Sequence, residues 1–146
     1  MDKERLDLLL TSIDATGLHY KLYMHDWNKS GMSMTQLSIL ELLANEGSKR
    51  VKELAQNVQV TSGGVTLICD KMIQQGYVRR LREESQDRRS VFLEITEKGR
   101  EVYAEMAEFR MNILSEHFIA LTNDDLREWN RIYTKLNGSL LERRNK

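Results

Sequence analysis

The sequence predicts a mainly helical fold with one small β-hairpin, and three observations support this. Apolar residues recur at spacings of three and four through most of the chain, the period of a helix with one buried face. No proline occurs among the 146 residues, so none of these helices is broken from within. Two strand-like runs, 77–82 and 90–96, stand close together around a charged tip. A short helix and then a second helix precede that hairpin, which is the order of a winged helix-turn-helix.

The first helix runs from about Glu4 to Trp27. Leu6, Leu10, Ile13, Gly17, Tyr20, Met24 and Trp27 share one stripe, and Leu8, Leu9, Leu18, Leu22 and Tyr23 widen it. One small domain seldom needs so much apolar surface on a terminal helix, so a second chain is its natural cover. The alternative is a helix packed wholly within its own monomer. Gly31 breaks the chain, and Ser33-Met34-Thr35-Gln36 reads as a capping box opening a second helix that ends at Gly47. Residues 49–51 can supply a short strand. In the third helix Val51, Leu54, Ala55 and Val58 line one face; Thr61 or Ser62 caps the fourth, whose Val65, Ile68, Met72 and Ile73 point inward. Gly76 closes it. After the hairpin, Thr96 caps a long helix reaching about Ile119, with Val102, Met106, Phe109 and Ile113 on its stripe. Thr122-Asn123-Asp124-Asp125 then opens a last helix, in which Leu126, Trp129, Tyr133, Leu136 and Leu140 share a face. The predicted order is α1-α2-(β1)-α3-α4-β2-β3-α5-α6. Residues 1–30 and 101–146 form the helical dimerisation region, and 31–100 form the winged module.

Composition narrows the function. At 40% hydrophobic and 30% charged residues, the chain can bury a core. No apolar run approaches the roughly 20 residues that span a bilayer, and the N-terminus has no cleavage-site pattern. A single cysteine, Cys69, cannot form an internal disulfide; together these features predict a cytoplasmic protein without a membrane partner. Net charge is zero, but its distribution is uneven. Residues 49–100 hold 11 Lys/Arg and 7 Asp/Glu, a balance of +4, leaving −4 elsewhere. A basic module in an acidic body offers phosphate a local footprint.

The chemistry concentrates in that module. Thr61, Ser62, Gly63 and Gly64 open the fourth helix with short hydroxyls that can meet base edges or phosphates, and with glycines that let the backbone come close. Unsatisfied amides there favour an anion. Thr66 and Lys71 belong to the outward face, with Lys71 suited to phosphate. At the hairpin tip Asp87 stands two places before Arg89, with Arg88 between, and that spacing can aim a guanidinium through a charge-assisted hydrogen bond. An arginine so projected suits a narrow, electronegative minor groove. Cys69, among Ile68, Asp70 and Met72, reads as packing rather than a redox sensor. His19 and His25 fall on different sides of a helix and make no metal site. No HExxH, G-x-S-x-G or phosphate-binding glycine loop is present, so neither an enzyme nor a cofactor is expected.

Three stretches, Ser33-Met-Thr-Gln-Leu-Ser-Ile-Leu-Glu-Leu-Leu43, TSGGVTLICDKMIQQGYVRR from Thr61 and DRRSVFLEITEKGR from Asp87, resemble the multiple antibiotic resistance regulator (MarR) family of bacterial winged-helix transcription factors. The resemblance covers nearly the whole chain. It implies a homodimer joined by its first and last helices, bound to double-stranded DNA and acting as a repressor of a pseudo-palindromic operator. It makes Arg89 the minor-groove residue and Asp87 its orienting partner, and places Ser62, Gly63, Gly64, Thr66 and Lys71 on the recognition helix. It also implies a pocket for a small aromatic or phenolic effector, with His19, Tyr20, Tyr23, Trp27 and Met34 as candidates; aromatics at helical spacing serve equally well as core. Two departures stand out. Leu67 occupies a position where many relatives carry a polar residue, and the early first-helix cysteine of the redox-sensing branch is absent. The alternative reading is a winged-helix protein-interaction or small-molecule-binding module without DNA binding.

Overall fold

In the computed structural model, which describes residues 2–58, 60–81 and 91–144, the elements follow the expected order. They are α1 (Lys3–Asn28), α2 (Met34–Glu46), β1 (Lys49–Arg50), α3 (Val51–Val58), α4 (Ser62–Gln74), β2 (Val78–Leu81), β3 (Phe92–Ile95), α5 (Glu97–His117) and α6 (Asn123–Arg144). The chain forms two units, Met1–Met111 and Asn112–Lys146, with α5 passing from one into the other.

The capping chemistry is realised. Ser33 Oγ accepts the Gln36 amide at 3.1 Å, and Gln36 Oε1 accepts the Ser33 amide at 3.0 Å, which satisfies two otherwise orphaned donors. Gln36 is buried, and its Nε2 donates to Gln75 Oε1 at 3.4 Å, tying the start of α2 to the end of α4. Gly76, at φ +80°, turns the chain out of α4 so that the Tyr77 amide reaches the Met72 carbonyl at 3.0 Å. Thr96 then works in both directions. Its Oγ1 donates to the Gly76 carbonyl at 2.6 Å and accepts the Gly99 amide at 3.0 Å, so one hydroxyl caps α5 and binds it to the turn after α4.

The sheet is antiparallel in the order β1-β3-β2, with Arg50 opposite Phe92 and Arg80 opposite Leu93. Val78, Leu93 and Ile95 are buried, while Arg79 and Glu94 pair at 2.6 Å at the surface. Above the buried face, α2 contributes Leu37, Ile39, Leu40 and Leu43, α3 contributes Leu54 and Ala55, and α4 contributes Val65, Cys69 and Met72. The α1 stripe behaves differently along its length. Leu6, Leu10, Ile13 and Tyr20 are exposed, and only at Trp27 does the helix enter the core, edge-on to Phe109 with ring centroids 5.9 Å apart.

In the second unit, Thr122 and Asp125 cap α6 reciprocally, at 2.8 Å and 3.2 Å. Phe118, Trp129 and Tyr133 stack at centroid distances of 5.0 and 5.9 Å. Here α5 stops at His117, short of the expected Ile119, because the chain turns with the Leu121 amide on the Phe118 carbonyl at 3.0 Å. None of the residues of α6 is buried.

Candidate nucleic-acid interface

Helix α4 has two faces, and the core claims one of them. Val65, Cys69 and Met72 recur at spacings of four and three and are buried. Gly63, Thr66, Leu67 and Lys71 are exposed. At its start, Thr61 Oγ1 accepts the Gly64 amide at 3.2 Å. The two glycines differ: a Cβ on Gly64 would stand 2.9 Å from Val60 Cγ1, whereas one on Gly63 would meet nothing within 4 Å. Gly64 therefore serves the cap, and Gly63 leaves the outward surface of the first turn bare. Thus Thr61, Gly63, Gly64, Thr66 and Lys71 are gathered along the opening and outer face of one helix. The side chain of Ser62 lies outside the described residues, as do Asp87, Arg88 and Arg89 at the hairpin tip.

Beside α4 the structure brings together cations that the sequence reading did not single out. Arg50, Lys52, Thr66, Cys69, Asp70 and Arg80 line a concavity of about 410 Å³ between α3, α4 and the sheet. Asp70 holds the Arg80 guanidinium at 2.8 Å, and Arg50 lies over the Phe92 ring, 5.1 Å from its centroid. Both contacts fix cations in place more than they stabilise the fold, since exposed pairs contribute only about 0–1 kcal/mol. The available signal was the strand alternation that turns Arg80 to the side where α4 presents Asp70. In the same wall, burial and then the Asp70 carboxylate push the Cys69 thiol up to about 11. It stays protonated at neutral pH, the state of a packing cysteine.

The candidate ligand residues separate. Tyr23 and Met34 meet, with the hydroxyl 4.0 Å from Sδ. Tyr20 is 65% exposed and His19 half-buried, whereas Trp27 is wholly buried. Trp27 Nε1 and Arg110 Nε are buried with no hydrogen-bond partner, an arrangement that costs energy unless something else accepts from them. Arg110 was not among the sequence candidates. It follows Phe109 on the α5 stripe, where an arginine reads as an ordinary flanking charge.

The model of the MarR family matches residues 32–91. Over a longer span, the chain is 31% identical to the transcriptional regulator BldR from Sulfolobus solfataricus, whose structure superposes with a TM-score of 0.70 and covers 92% of this chain and 99% of that one. The chain belongs to the MarR family. It is thereby a winged helix-turn-helix transcriptional regulator. Another member-like relative, the transcriptional repressor MdtR from Bacillus subtilis, is 28% identical over 113 residues, which cover 77% of this chain and 72% of that protein. Curated relatives are matched over 48% to 74% of their own length. The same fold appears in BpsR from Bordetella bronchiseptica, a protein whose DNA binding is regulated by 6-hydroxynicotinic acid. Its TM-score is 0.73 at 16% identity, with 87% of this chain and 98% of that one covered. Among the described residues no helix is long and apolar enough to cross a membrane, and no cluster of metal-ligating side chains occurs.

Proposed function

We propose that this MarR-family chain is a homodimeric, effector-responsive repressor of a pseudo-palindromic operator. The observation that carries the reading is the outer face of α4, where Gly63, Thr66, Leu67 and Lys71 are uncovered while the opposite face is committed to the core. A helix with one free face has the width of a major groove. In this reading residues 31–100 dock on DNA: Thr61, Ser62, Gly63, Gly64 and Thr66 address bases or phosphates, and Lys71 a phosphate. Arg89, aimed by Asp87 and flanked by Arg88, enters the adjoining minor groove. Residues 1–30 and 101–146 join two subunits, and twofold symmetry sets the two α4 helices about 34 Å apart. Repression is favoured by the likeness to MdtR, and an aromatic acid as effector by the likeness to BpsR. His19, Tyr20, Tyr23, Trp27 and Met34 are the residues proposed to hold it, and the buried nitrogens of Trp27 and Arg110 support a polar ligand there. Such a ligand acts only by the difference in its affinity for two subunit spacings.

Fluorescence anisotropy with duplex DNA flanking the protein's own gene tests the reading. Wild type should bind with an affinity that falls steeply with salt. Arg89→Ala should lose at least about tenfold in specific affinity and remain dimeric, in line with loss of a desolvated guanidinium contact. Equal binding by that variant would remove the wing from the interface.

A further inference from the structure

We infer that Leu67 reads a thymine: the operator half-site places a T under this side chain, and its 5-methyl group is recognised by apolar contact. The inference rests on the reading of α4 as the major-groove helix and adds what that helix selects. Leu67 is 73% exposed, although leucine is among the side chains most often buried. At about 100° per residue, it stands nearly opposite the line of Val65, Cys69 and Met72, on the foremost ridge of the helix. Helical side chains lean toward the preceding turn, and the residue one turn back is Gly63, where an added Cβ would touch nothing. The ridge is therefore a single isobutyl group leaning over bare backbone, with the exposed Thr66 and Lys71 beside it.

That surface selects its occupant. An apolar protein interface needs a contiguous patch, whereas Leu67 is one apolar group in polar company. In the major groove the thymine methyl is the one apolar group that a base pair presents, and a lone aliphatic side chain matches it. Both groups leave water on contact, and neither has a hydrogen bond to lose. A guanine or cytosine in that place would instead set a hydrogen-bonding edge against leucine and leave it unsatisfied.

The test selects sites for the full-length protein from a randomised duplex library, then replaces each thymine of the selected site by uracil, which removes only the methyl. Wild type should lose about fourfold in affinity for each methyl removed under Leu67 and about fifteenfold for the symmetric pair. Leu67→Ala, checked for native helix content by circular dichroism, should bind both duplexes alike and select no thymine there. Salt-dependent, site-selective binding that ignores every thymine-to-uracil exchange would overturn the assignment of Leu67 while leaving the DNA-binding reading intact. Retention of the thymine preference by Leu67→Ala would do the same. If wild type selects no site at all, both fall.

Discussion

At the scale of single residues, Gly99 shows how one position can hold two elements together. A Cβ there would stand 2.0 Å from the Tyr77 carbonyl oxygen and 2.8 Å from Ile95 Cγ1. The first turn of α5 thus lies directly on the backbone that leaves α4, and only a hydrogen fits between them. Gly99→Ala should lower the urea midpoint by the equivalent of about 3 kcal/mol, the upper range of overpacking; a loss under about 1 kcal/mol would mean that the contact relaxes. Cys69 makes a different residue-scale claim. Its thiol is pushed up to about 11 by burial and the neighbouring Asp70 carboxylate. In the unfolded chain the thiol ionises near its ordinary value of about 9.0. Folded stability is therefore unaffected by this group below that pH and declines as pH rises from there toward 11. At pH 8 a disulfide reagent should label the native thiol about 100-fold more slowly than the unfolded one. Comparable rates would show that the site opens readily.

At the scale of elements, most boundaries follow from caps, which are local and so legible in the sequence. The Ser33–Gln36 box, the Thr61 cap and the Thr122–Asp125 pair all form where short polar side chains meet the first turn of a helix. Ser33→Ala should cost about 1 kcal/mol in chemical denaturation, the usual worth of an N-cap. Combined with Gln36→Ala it should cost less than the two changes added together, because each side chain caps for the other; full additivity would mean the box is not reciprocal. What the sequence could not show depends on neighbours far along the chain. Asp70 and Arg80 look like two isolated charges until β2 folds beside α4 and brings them to 2.8 Å. Trp27 belongs to the same periodic stripe as Ile13, yet one is wholly buried and the other 65% exposed. Periodicity identifies the face of a helix, but only packing decides where along it the core begins. The effector candidates differ in exposure for that reason, while Gly63, Thr66 and Lys71, being local to one helix, are exposed together.

At the scale of the whole molecule, the uncovered apolar side chains lie mainly on the terminal helices. On α1, Leu8, Leu10, Ile13 and Leu18 are each at least half exposed, and on α6 so are Ile132, Leu136 and Leu141. Water contact with this much aliphatic surface is unfavourable by roughly 25 cal/mol for each Å², which provides the drive for a second copy to cover it. In the proposed dimer the balance of +4 in residues 49–100 would be doubled and concentrated on two copies of one module. Sedimentation equilibrium should therefore give a mass near twice 17.1 kDa for wild type. Leu10→Glu combined with Ile13→Glu places two like charges in each copy's apolar face, and should yield a monomer whose circular dichroism keeps its helix content. That monomer should still bind DNA weakly through one module, but lose the footprint of two half-sites one helical turn apart, since two linked contacts bind far more tightly than either alone. A double variant that stays dimeric would move the interface off α1, whereas a monomer with the full two-site footprint would separate dimerisation from recognition.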